Sequence, residues 1–142
     1  MKIRVLLLAL VLTVTSAYAD TVQTPAQPDN THVLVTPQNI PFESCTKMFG
    51  GTGANAVNKE KLFYLTLGAI SANRFTVEEI QTEYGYIIFK AAKQKYLATV
   101  AEIDNNNSVL RITPCNNVYF FQPGILVNIY KYIELNKGMV IK

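Results

Sequence analysis

The sequence predicts an α+β fold, a two-layer sandwich in which an antiparallel sheet of about four to five strands carries two helices on one face, in the order β-α-β-β-β-β-α. Two observations predict it. Two segments space their apolar residues at i, i+4 and i+7, one with Phe63, Leu67 and Ile70 and the other with Ile125, Ile129 and Ile133. Between them lie four runs rich in β-branched and aromatic residues, divided by short turn sequences.

The elements follow in order. Ile40 to Met48 reads as a first short strand, and Phe49-Gly50-Gly51-Thr52-Gly53 as a glycine-rich break. The first helix runs from Asn58 to about Ala72, with Asn58 as N-cap, Glu60 in the first turn and Leu62, Leu65 and Ala69 widening the apolar stripe. Asn73 is expected to close it in the left-handed conformation. Phe75–Thr82, Tyr86–Ala91, Lys95–Ile103 and Ser108–Thr113 read as four antiparallel strands. Tyr84-Gly85, Ala92-Lys93-Gln94 and Asp104-Asn105-Asn106-Asn107 form their turns. In the third of these strands Tyr96, Ala98, Val100 and Glu102 alternate with Leu97, Thr99, Ala101 and Ile103, so one face can be apolar while the other is mixed. Pro123 suits the first position of a second helix, which ends near Asn136 ahead of Lys137-Gly138.

The chain opens with a leader. Lys2 and Arg4 precede an apolar run from Val5 to Val14, and Ala17-Tyr18-Ala19 has the small-x-small form that a signal peptidase cleaves before Asp20. Thr13, Thr15 and Ser16 cut the run short of the roughly 20 apolar residues that a spanning helix needs. Residues 1–19 are therefore expected to be a cleaved signal peptide that leaves no stable membrane anchor. Residues 20–39, with Pro25, Pro28 and Pro37, read as a flexible tether whose apolar patch Val33-Leu34-Val35 could instead add an edge strand, and residues 40–142 as a single domain. The expected location is periplasmic or secreted.

Without Lys2 and Arg4 the formal charge of +3 falls to about +1, so the apparent basicity belongs mostly to the leader. Lys90, Lys93 and Lys95 form the nearest thing to a basic cluster, and they fall at a hairpin tip. The phosphate-neutralising face of a nucleic-acid binder is not written here. Cys45 and Cys115, an even count in an exported chain, suggest one structural disulfide, since their separation is unlike the Cys-x-x-Cys of a redox pair.

No motif for chemistry emerges. The single histidine, His32, lies in the tether, which removes the Ser-His and Cys-His nucleophile pairs and most zinc sites. The glycine-rich break lacks both the Gly-Lys-Ser/Thr ending of a phosphate loop and the dinucleotide fingerprint. Asp104-Asn105-Asn106-Asn107 lacks the spaced acids and glycine of a calcium loop. Glu78, Glu79, Glu83 and Glu102 are the only candidates for an acid/base pair. Adjacency should send Glu78 and Glu79 to opposite faces of their strand, and solvated pairing with Lys90 and Lys95 is the simpler expectation. No cofactor or metal is expected, nor an enzyme.

Aromatic residues are the more informative feature. Tyr84, Tyr86, Tyr96, Tyr119 and Phe121 are candidates for a binding surface, because aromatic side chains supply contact area at low entropic cost. Consecutive Tyr119-Phe120-Phe121 cannot all point inward. The order of elements across residues 40–136 resembles that of small helix-grip or TATA-binding-protein-like domains found in bacterial envelope proteins, including accessory parts of outer-membrane assembly machinery. That likeness rests on element order alone and transfers no site residues. Two function classes lead: a non-enzymatic protein-interaction module whose partner is another envelope protein, met through an uncovered sheet face or an edge strand, and a small-molecule or lipid carrier with a cavity between helices and sheet; a third, a carboxylate-based hydrolase, requires two carboxylates to converge in a cleft.

Overall fold

A computed structural model describes residues 38–139, so the leader, His32, the Val33 patch and most of the tether lie outside the described residues. The strands are β1 (Gln38–Asn39), β2 (Thr46–Gly50), β3 (Thr76–Gln81), β4 (Tyr86–Ala91), β5 (Gln94–Glu102), β6 (Asn107–Pro114) and β7 (Phe120–Phe121). Helix α1 spans Lys59–Ala72 and helix α2 spans Gly124–Asn136. Strands β2 to β6 form one antiparallel sheet in the order β2-β6-β5-β4-β3, while β1 and β7 make a separate two-stranded ribbon. The α+β class and the order β-α-β-β-β-β-α are as the sequence predicts.

Strict alternation decides which face is covered. Ile87, Phe89 and Ala91 of β4, Tyr96, Ala98 and Val100 of β5, and Leu110 and Ile112 of β6 are all buried and meet both helices in one core. Helix α1 contributes Leu62, Phe63, Leu65, Ala69 and Ile70, and α2 contributes Ile125, Leu126, Ile129 and Ile133. A column of rings runs through this layer: Phe75 stacks on Phe89 at 6.0 Å, Phe89 on Tyr96 at 5.4 Å, and Tyr96 meets the edge of Phe121 at 5.2 Å. Burial pushes the Tyr96 phenol well above its ordinary pKa, so the ring sits in the core as a neutral group. The helices cross closely at Gly68, where an added Cβ would lie 3.0 Å from the Tyr132 hydroxyl.

Helix α1 starts as expected, with the Asn58 side chain accepting from the Lys61 N–H at 2.8 Å. Its end differs by one residue. Asn73 keeps φ −86° and Arg74 takes the left-handed conformation at φ 60°. Arg74 N–H donates to Ser71 O and Phe75 N–H to Ile70 O, the paired closure of a Schellman motif, while the Asn73 amide donates to Ala69 O. Phe75 is thereby turned back onto the core.

The first strand also starts later than its sequence suggests. Pro41 has no N–H to offer a ladder and its carbonyl accepts from Ser44 N–H, so Phe42–Cys45 form a 3-10 turn and the strand begins at Thr46. Phe49 and Gly50 belong to that strand rather than to a break. Gly50 is required by contact: a Cβ there would collide with the Asn107 side chain and sit 2.6 Å from Asn106 O. The Asn106 carbonyl also accepts from Val57 N–H at 2.9 Å, and Ser108 Oγ donates to Val57 O at 2.9 Å across 51 positions of chain. The glycine-rich stretch is thus a docking seam for the β5–β6 turn.

The ring column sets one stability prediction and a hairpin sets another. Phe89→Ala should cost about 3–5 kcal/mol, and Phe120→Ala, on an exposed ring, should stay within about 0.5 kcal/mol, both read from urea unfolding. Ala92 and Lys93 join β4 to β5 with φ of 50° and 67°, a two-residue turn for which Asn-Gly is the preferred pair. Replacing Ala92→Asn and Lys93→Gly together should stabilise the protein by about 1 kcal/mol, and an unchanged or lower urea midpoint would contradict the turn assignment.

Candidate functional surface

With both helices on one face, the opposite face of the sheet carries no helix among the described residues. The pairing register places on it Thr46 and Met48 of β2, Val109, Arg111 and Thr113 of β6, and Lys95, Leu97, Thr99 and Ala101 of β5. Tyr86, Ile88 and Lys90 of β4 and Thr76, Glu79 and Gln81 of β3 complete it. Tyr86, Ile88, Leu97 and Val109 are half-buried among their neighbours, and Met48 is exposed. The surface is a band of aliphatic and threonine side chains flanked by charge.

Its carboxylates are placed by an irregularity. Between Val77 and Glu79 the β3–β4 register shifts, setting Glu78 and Glu79 together opposite Ile88. This β-bulge brings both carboxylates to the open face instead of dividing them between faces as simple alternation predicts. Glu78 pairs with Lys95 at 3.0 Å, and Glu79 accepts from the Tyr86 hydroxyl at 3.0 Å, a bond that raises the Tyr86 pKa. Arg111 donates from Nε to Thr46 Oγ1 at 3.3 Å while its guanidinium lies 5.1 Å from the Phe42 ring centroid. Glu83 stays in the exposed turn after β3, and Glu102 ends β5. Among the described residues no group of three or more His, Cys, Asp or Glu side chains converges in a way that would hold a metal ion. Asp104 is used by its own turn, accepting from Asn106 N–H at 2.8 Å and from the Asn107 amide, and these bonds hold its carboxyl below the usual range.

The aromatic candidates divide. Tyr84 is 71% exposed in the turn between β3 and β4, and Tyr86 stands on the open face. Tyr96 and Phe121 are buried and belong to the core, which removes them from any binding surface. The parity of β5 carries the reason, since Tyr96 shares its face with Ala98 and Val100 and only Leu97 and its companions can look outward. Tyr119 is half-buried, 6.0 Å from Phe42, while Phe120 points out beside Val118, so Tyr119-Phe120-Phe121 splits as strand alternation demands. Phe42, Phe120, Met48, Ile88, Leu97 and Val109 went unselected. Met48, Ile88, Leu97 and Val109, the four that lie in the five-stranded sheet, could have been found from the two-residue alternation with the apolar face.

A cleft of about 370 Å³ lies elsewhere, between the start of α1 and the β3–β4 turn, lined by Lys59, Glu60, Phe63, Tyr64, Gly85 and Glu102 among others. No helix among the described residues is long and apolar enough to cross a membrane.

The expected disulfide between Cys45 and Cys115 is not formed. Thr46 faces Arg111 across the β2–β6 ladder, so Cys45 reaches no farther than the level of Ile112, and Cys115 lies three residues beyond, roughly 10 Å along the strand. A bridge needs Cα atoms within about 7 Å. The side chains also diverge, Cys45 being fully buried and Cys115 exposed. Burial is the main cause that pushes each thiol above its ordinary pKa, with Arg111 partly opposing it at Cys45 and Lys95 at Cys115.

No protein-family model matches the chain, and a search of curated proteins finds no match to its sequence. The thiols offer a direct check on the geometry. At about pH 8 a disulfide-exchange reagent should label one thiol in the folded protein, and Cys115→Ser should abolish that labelling, with Cys45 reacting only after denaturation. Two unreactive thiols in the folded protein, released together by reductant, would overturn this placement.

Proposed function

We propose that this chain is an exported, non-enzymatic protein-interaction module that meets an envelope or secreted protein partner through the open face of its sheet. The observation that carries the reading is the one-sided coverage of the sheet, which leaves Met48, Ile88, Leu97 and Val109 facing away from both helices. A half-apolar face rimmed by paired charges is the composition of a protein contact, with an apolar centre and a polar rim. The Glu78–Lys95 pair and the Arg111 guanidinium over Phe42 supply charged groups at the rim of that face. The carrier reading draws less support, because the space between helices and sheet is filled by large side chains, Phe49, Leu62, Phe89, Tyr96 and Ile129 among them. Export rests on the leader sequence, with its basic start, apolar run and Ala17-Tyr18-Ala19.

Two measurements test this. The mature protein isolated from its compartment should begin at Asp20, and retention of Met1 in a cytoplasmic fraction would refute export. A photo-crosslinking residue at Leu97, on the open face, should capture one reproducible partner from the native envelope or secreted fraction, while the same group at Lys131, exposed on α2, should not. Leu97→Glu should weaken that association by about tenfold or more by placing a charge in an apolar contact, with the urea midpoint little changed. Equal capture from both positions, or capture of nothing, would overturn the role of the sheet face.

A further inference from the structure

We draw no further inference here: the strongest candidate, the exposed apolar corner that Phe42, Val118 and Phe120 form beside the two-stranded β1–β7 ribbon, is a surface for which nothing in the structure shows what covers it.

Discussion

The stack of Phe75, Phe89, Tyr96 and Phe121 is the interaction on which the other parts depend. Its four rings come from the chain just past α1, from β4, from β5 and from β7, so one continuous contact ties the end of the first helix to the start of the second across the sheet. Each ring adds the burial of a large apolar surface to a geometric preference for offset or edge contact. Once Phe89 and Tyr96 point the same way, the two-residue period of β4 and β5 dictates the direction of every other side chain on those strands. The apolar face then has to be covered. Both amphipathic helices are spent on that one face, and the other is left with no helix among the described residues.

Short connections require unusual backbone, and the sequence meets the requirement by different means at different turns. After α1 the chain reverses at Arg74, a non-glycine residue held left-handed by the two hydrogen bonds of the Schellman closure and by the anchoring of Phe75 in the ring stack. Between β4 and β5 two ordinary residues, Ala92 and Lys93, are driven to positive φ because the flanking strands, locked by Phe89 and Tyr96, demand a tight turn of that twist. At Gly50 the constraint is space: the Asp104–Asn107 turn folds over β2 and leaves no room for a Cβ. In the first two cases tertiary packing overrides local preference, and in the third residue choice yields to packing.

This division explains what could be read in advance. Both helices, the four central strands and the order of elements follow from hydrophobic period, which depends on composition at each position and tolerates errors of a residue or so at the ends. Details that depend on contacts between distant segments could not be read the same way. The left-handed residue moved from Asn73 to Arg74 because Phe75 had to reach Phe89. Pro41 delayed β2 in a manner that a missing N–H could have suggested. The Glu78-Glu79 bulge broke the alternation that would otherwise have split those carboxylates. The expectation of a Cys45–Cys115 bridge rests on an even count and a leader sequence, and neither carries information on whether two Cβ vectors converge. Tyr96, a surface candidate by composition, lies in the core, and the parity that places it there is present in its own strand.

A sheet with one open face can recruit a partner through that face or through its edges, and the edges of this sheet are blunted. On β3 the bulge twists the ladder out of register and sets two carboxylates beside it, both of which discourage the addition of a strand. On the far side, α2 lies against β2: Tyr130 donates its hydroxyl to Ser44 O at 3.4 Å, and Lys137, which also pairs with Glu134, donates to Gly50 O at 3.3 Å. Ser44 lies just ahead of β2 and Gly50 ends it, so the two bonds hold main-chain carbonyls at both ends of that edge strand. Strand addition at the β2 edge would have to displace the Tyr130 and Lys137 bonds, whereas docking on the face leaves both in place. Combined with the mixed chemistry around Leu97, that asymmetry favours the face over the edges as the place where the proposed partner would sit.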